Sequence, residues 1–265
     1  MASAGAQYIA ALPMYDWPER RAEVDAEWAA IRDRLRARSI DAPEHLTRRN
    51  ADMPAVTGGI RDEHGTLIAP DPATLPADDF DPHTLWRHPA LLFGQTCWGP
   101  MELGLMRHVA VIGQPDYGGV EGGEGPLYSS AIVMRRKDAP AGAERKAPVN
   151  GSAILPLESL RGGRFAFNSL ESLSGYLALK RDLEHAHTDL ALFASLVETG
   201  AHRRSIRAVA DGTADVAAID AMSWQLARRY EPAANQLVPI GWTSRRKGLP
   251  FICARGLARF SSQSW

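Results

Sequence analysis

The chain has 265 residues, 45% of them hydrophobic, and a formal net charge of −1. This is the composition of a globular protein with length for one large domain or two lobes. It lacks the basic balance expected of a nucleic-acid-binding protein, and no run of eighteen apolar residues marks a membrane span.

In chain order, Tyr8 to Met14 is an apolar run that predicts a buried first strand. Tyr15-Asp16-Trp17-Pro18 opens a helix, with Asp16 or its neighbour as cap and Pro18 tolerated in the first turn. Val24, Trp28, Ile31 and Leu35 then recur at helical spacing, and the other face is Arg, Asp and Glu. The arginine clusters therefore read as solvated helix faces. Residues 40–90 are rich in Pro and Asp and predict irregular connections, with a short strand near Leu46 and a hairpin around Glu63-His64-Gly65.

Leu91 to Gly99 and His108 to Gly113 predict two further strands. Gly118 to Gly125 is glycine-rich, but it lacks the phosphate-cradle pattern and contains Glu121 and Glu124, so it reads as a flexible surface loop. Leu127 to Met134 is a strand with two hydroxyls near its start, and Lys137 to Asn150 is a polar linker or hairpin tip. Arg164 to Phe167 is a short apolar strand followed by Asn168, Ser169, Ser172, Ser174 and Gly175 and by a helical pattern to about His187. A strand that delivers a hydroxyl-rich turn onto a helix N-terminus suits an oxyanion, because free N–H groups, the helix dipole and serine hydroxyls all point there. One serine of the set would serve simply as the helix cap.

Leu190 to Val197 is apolar on a helical period and stops at Gly200. A helix from His202 ends at Gly212, Asp215 to Asp220 is a small buried strand, Ser223 to Tyr230 is helical, and Leu237 to Trp242 is a strand. The arginine- and serine-rich tail from Phe251 to Trp265 reads as loosely packed. Alternating strands and helices predict an α/β architecture with mostly parallel sheets. Cys97 and Cys253, without a CxxC, predict buried free thiols, and no metal-ligand cluster or cofactor loop is present.

Four segments carry a family resemblance: Leu12-Pro-Met-Tyr-Asp16, Leu127-Tyr-Ser-Ser130, Phe165 to Gly175, and Glu198 to Asp220. In their order and spacing they resemble the phosphate/phosphonate-type substrate-binding proteins of ABC transporters. The resemblance implies a two-lobe type II periplasmic-binding-protein fold with a ligand cleft between lobes. It places lobe 1 at 1–122 plus 222–265 and inserts lobe 2 at 123–221.

Position by position, the resemblance implies ligand contacts from Ser129 and Ser130, from Ser169, Ser172 and Ser174, and from His202 and Asp220. From the first lobe it implies Tyr15 and the Gln95-to-Trp98 segment. An anion beside His202 would favour its protonated form. Asp220 would repel a full dianion, so it implies either an ammonium on the ligand or a P–OH proton that the carboxylate accepts. Trp17, Trp98 and Trp224, with Tyr15, are candidates for an aromatic wall, which a cationic tail would favour.

The implied function is binding of a small phosphorus oxyanion, phosphate or phosphonate, without cofactor or metal. The alternatives are a cytoplasmic enzyme on the same fold, with His202 and Asp220 as acid/base pair, or a ligand sensor. Cys97 has no positive partner nearby in sequence and is not expected to be a nucleophile. The N-terminus Met1 to Ala10 predicts no secretory signal, hence a cytoplasmic place of action, or a periplasmic one with an ABC permease as partner if a signal has been removed.

Overall fold

The structure is a computed structural model that describes residues 7–260. The reading of the first six residues, and of the tail beyond 260, lies outside the described residues. In chain order, β1 (Ile9–Ala11) is fully buried and leads through a 3-10 turn, Pro18–Arg20, into α1 (Arg21–Arg36). Val24, Trp28 and Leu35 are the buried side of α1, as their spacing requires. The expected cap is absent: Asp16 instead takes the Arg48 guanidinium at 2.6 Å, an ion pair outcompeting a cap.

A hairpin of β2 (Ile60–Arg61) and β3 (Leu67–Ala69) brackets the Glu63-to-Gly65 turn as expected. No strand forms at Leu46, which is buried in the core; Thr47 N–H donates to the Ala10 carbonyl at 2.7 Å. Within the Pro-rich region a helix, α2 (Pro82–Arg87), starts on Asp81, whose carboxylate accepts from His83 N–H. The chain continues through β4 (Leu91–Gln95), α3 (Trp98–Glu102) and β5 (Val109–Gly113). The glycine-rich loop ends in a ribbon, β6 (Gly123–Glu124) with β7 (Leu127–Tyr128), and runs into β8 (Ser130–Arg135). A Cβ on Gly123 would fall against the Tyr117 carbonyl and side chain, so the loop closes tightly there.

After α4 (Leu157–Leu160) come β9 (Arg164–Phe167), one π-helical turn at Leu173–Leu177, and α5 (Ala178–His185). The 190–197 segment is not a helix. It makes a single 3-10 turn, Leu190–Leu192, that buries Leu192 and Phe193, and then β10 (Ser195–Glu198) pairs parallel to β9. The chain then forms α6 (His202–Asp211), ended by Gly212 at φ 86°, followed by β11 (Val216–Asp220), α7 (Ala221–Tyr230), β12 (Leu237–Trp242), β13 (Arg246–Lys247) and β14 (Phe251–Ala254).

Two compact units result. The first takes in the chain up to Thr96, Pro100–Gln114 and the chain from Leu249. Its sheet has the order β1-β4-β14-β5, parallel between β1 and β4 and antiparallel about β14. Trp28, Leu35, Leu92, Phe93, Ile112 and Cys253 lie in its core. The tail is therefore not loose at its start: β14 is an inner strand paired on both sides, with Ile252 and Cys253 buried.

The second unit is Cys97–Gly99 with Pro115–Gly248. Its sheet has the order β10-β9-β11-β8-β12 over a core of Phe165, Phe167, Leu179, Leu183, Val216 and Ile240. Both sheets are mixed rather than mostly parallel, because β8 pairs antiparallel with β11 and with β12. That last pairing also moves the expected boundary. β12 completes the second unit's sheet, so this unit runs on to Gly248 instead of ending at residue 221.

Candidate functional site

Five elements of the second unit converge at the carboxyl end of β11. Ser129 leads into β8 and Ser130 begins it, both 1% exposed. Their backbone is pinned: Ser130 N–H donates to Thr243 Oγ1 at 2.8 Å, Thr243 N–H returns to the Ser130 carbonyl at 2.9 Å, and Ala221 N–H donates to the Ser129 carbonyl at 3.0 Å. The Ser130 hydroxyl donates to the Ser174 carbonyl at 2.9 Å, which ties β8 to the serine turn. Ser129 Oγ is buried with no partner among the described residues.

The serine turn divides its labour. Ser172 is the cap, its hydroxyl accepting from Gly175 N–H at 3.0 Å. Ser169 is half-buried, and its carbonyl accepts from Ser172 N–H. Ser174 is the member that turns to other side chains, with its hydroxyl 3.1 Å from His202 Nε2. At Gly175 the Asn168 side chain occupies the space where a Cβ would sit, so a larger residue would have to turn that amide aside.

Asp220 closes the cluster. Its Oδ1 accepts from Ser223 N–H at 2.9 Å, capping α7, and its Oδ2 lies 3.2 Å from His202 Nε2. Capping and clustering are thus both true of this residue. His202 is the first residue of α6 rather than its cap, and its Nδ1 is buried with no partner among the described residues. Burial pushes its imidazole below the usual histidine range, against the pull of Asp220.

Ser174 and Asp220 approach the same ring nitrogen. In an acid/base relay the carboxylate orients one nitrogen while the other faces the hydroxyl. This arrangement therefore does not build that relay.

The segment Cys97–Gly99 belongs to this unit and packs on the serine turn. Leu173 N–H donates to Cys97 Sγ at 3.3 Å. A Cβ on Gly99 would stand 2.8 Å from the Glu171 carbonyl carbon and 3.1 Å from Leu173 N. The Cys97 thiol is fully buried, and burial raises it above its ordinary range, so it is a neutral packing group. Burial likewise raises the Tyr128 phenol well above its ordinary range, with Cys97 and Asp220 adding to the effect and the Ser174 hydroxyl nearby opposing it. Its hydroxyl has no partner among the described residues.

Trp98 Nε1 is buried with no partner among the described residues, and the ring face carries Lys247 Nζ at 5.1 Å from the centroid. Lys247 is exposed, but the backbone that bears it is fixed. Asp182, buried on α5, takes Arg246 Nη2 at 2.6 Å and Ser244 N–H at 2.7 Å, and β13 pairs with β7.

Of the residues expected at the site, Trp98, Ser129, Ser130, Ser174, His202 and Asp220 belong to this neighbourhood. Ser172 supports it as a cap, and Ser169 forms the turn's entry. Tyr15 and Gln95 belong to the first unit. Gln95 is buried in β4, where its carbonyl accepts from Trp86 Nε1 at 3.0 Å, and the Tyr15 carbonyl accepts from Trp17 N–H at 3.0 Å. Sequence reasoning missed Cys97 and Gly99 as braces, Tyr128 as a site hydroxyl, Thr243 as the β8 anchor and Lys247 as a cation. Only Tyr128 had a visible signal, in the Leu127-Tyr-Ser-Ser130 run. Among the described residues no group of His, Cys, Asp or Glu is placed to hold a metal ion, and no helix is long and apolar enough to cross a membrane.

Residues 112–259, more than half of the 265, match the family model described as ABC transporter, phosphonate, periplasmic substrate-binding protein. Among solved structures, PhnD1 from Prochlorococcus marinus in complex with methylphosphonate is similar over 97% of this chain and 80% of its own, at 15% identity and a TM-score of 0.61. A binding protein component of an ABC phosphonate transporter from Pseudomonas aeruginosa is similar over 96% of this chain and 71% of its own, at 15% identity and a TM-score of 0.57. A Xanthomonas citri protein bound to chloride ion is similar over 97% of this chain and 80% of its own, at 14% identity and a TM-score of 0.58. Among curated protein sequences none matches significantly. The fold is accordingly the two-lobe type II periplasmic-binding-protein fold.

Proposed function

This chain belongs to the family of phosphonate periplasmic substrate-binding proteins of ABC transporters, and from that premise we propose that it binds a small phosphorus oxyanion at the buried hydroxyl cluster of its second unit. What supports this reading is that three buried donors of the second unit have no partner among the described residues: Ser129 Oγ and Tyr128 OH, at and just before the start of β8, and Trp98 Nε1, on the segment packed on the serine turn. Buried donors without partners are costly, and an oxyanion supplies acceptors for several at once. Ser174 and His202 form the second bank of the site. An arriving anion favours the imidazolium, which donates from Nε2 while Asp220 balances its charge. Neutral hydroxyl donors hold the anion without the grip of a bidentate guanidinium, which suits a protein that must release its ligand. On this reading the place of action is the periplasm, and the macromolecular partner is the permease of an ABC transporter.

Thermal unfolding in the presence of phosphate, phosphite, methylphosphonate, 2-aminoethylphosphonate or sulfate tests the proposal. A ligand at about 100 times its Kd adds ~2.7 kcal/mol, so at least one phosphorus compound should raise the melting temperature clearly. Ser129→Ala should weaken that ligand by about 1–3 kcal/mol, the scale for a lost donor to a charged group. No shift with any phosphorus compound would refute the proposal.

A further inference from the structure

Asp220 left two ligand chemistries open, an ammonium on the ligand or a P–OH proton. The geometry points to the class without an ammonium: we infer that this site takes a compact phosphorus oxyanion whose substituent is absent or apolar, and discriminates against aminoalkylphosphonates. This rests on the binding reading above.

Both oxygens of Asp220 are engaged by the chain itself, Oδ1 by Ser223 N–H at 2.9 Å and Oδ2 by His202 Nε2 at 3.2 Å, and the residue is 3% exposed. A ligand ammonium brings three donors and no acceptor. To use Asp220 it would have to displace His202 Nε2 from its buried contact with Oδ2, and an ammonium left without acceptors in such a place is strongly disfavoured.

The groups around the site are matched to oxygen instead. Trp98 Nε1 can only donate, while the Ser129 and Tyr128 hydroxyls have donors to give. The aromatic face that would hold a cationic tail is also taken. Trp98 already carries the Lys247 ammonium at 5.1 Å, so a second cation there meets like charge instead of an open ring. The local cation is thus supplied by the protein, and it favours an anion with no positive charge of its own.

Calorimetric titration of the full chain with methylphosphonate, n-propylphosphonate and 2-aminoethylphosphonate separates the alternatives. The last two have chains of the same length and differ in the ammonium. Methylphosphonate is expected to bind at least about tenfold more tightly than 2-aminoethylphosphonate, a difference of ~1.4 kcal/mol, with propylphosphonate on the tighter side of the amine. Equal or tighter binding of the amine overturns the inference. So does propylphosphonate as weak as the amine, which would show exclusion by length and not by charge. Binding of none of the three, nor of phosphate or phosphite, overturns the underlying reading instead. In His202→Ala, which removes the imidazole from Asp220 Oδ2 and puts no other donor in its place, the preference against the amine should shrink several-fold. A preference unchanged in that variant would remove the occupancy of Asp220 as its cause.

Discussion

Gly99→Ala asks whether the serine turn is set by the segment packed against it. An alanine Cβ would stand 2.8 Å from the Glu171 carbonyl carbon and 3.1 Å from Leu173 N, with the Glu171 carbonyl oxygen nearer still. Comfortable contacts need about 3.5–4.0 Å, so the 171–173 backbone would have to withdraw by well over ~1 Å, the carbonyl oxygen setting the distance. The obstacle is main chain, which cannot rotate aside as a side chain would. The withdrawal would strain the Leu173 N–H bond to Cys97 and shift Ser174 away from Ser130 and His202. Overpacking of this kind costs about 1–3 kcal/mol. At about 2–4 °C per kcal/mol for a chain of this size, the melting temperature should fall by roughly 2–12 °C. Oxyanion affinity should fall with it, because the displaced hydroxyl belongs to the site. Gly256→Ala is the control, since a Cβ there meets nothing within 4 Å. Scanning calorimetry and ligand titration on both variants decide the matter. A Gly99→Ala protein with the parent melting temperature and parent affinity would refute the claim that this segment positions the turn.

Two further outcomes follow from the charges and thiols. Arg164, with Arg135, holds the Asp215 carboxyl well below the usual carboxylate range. Because the native value is depressed, the stability it contributes is present above the unfolded-state value near pH ~4 and drains away as pH falls below that. Urea unfolding at about pH 7 and pH 3 should show a smaller acid-induced loss in Asp215→Asn than in the parent, and an equal loss would contradict this account. Burial raises the Cys253 thiol to about 11 and the Cys97 thiol above its ordinary range. Iodoacetamide should therefore label neither cysteine in the native protein at about pH 8 and both after unfolding; rapid native labelling of Cys97 would show that it is not packed as described.

The legible parts of this chain were those whose signals are local. The α6 helix announces itself by its periodicity and its Gly212 stop, and β9 by a short apolar run ending in polar residues. Of the residues that the resemblance singled out, Ser130, Ser174, His202 and Asp220 are neighbours in the fold. The misreadings share a cause. Leu190, Leu192, Phe193, Leu196 and Val197 satisfy a helical period as well as a turn followed by a strand, and only the pairing of β10 with β9 decides between them. The 251–254 strand is only four residues long, between Pro250 and Arg255, and its place between β4 and β5 is a long-range fact. Ser172 and Ser174 look alike in sequence, but one caps a turn and the other meets a histidine from α6. Gly99 carries no sign of its role, because the carbonyl that excludes a side chain there comes from the distant serine turn.

The position of β14 also sets an order of events during synthesis. The strand enters the first unit's sheet between β4 and β5, which have no pairing with each other. Until the ribosome has delivered residues 251–254, that sheet exists only as a β1–β4 pair and a solitary β5. Every strand of the second unit's five-stranded sheet lies before residue 248 and is complete earlier. Of the two sheets, the one whose first strand is made earlier is therefore the one that receives its last strand later, with β14 as its keystone.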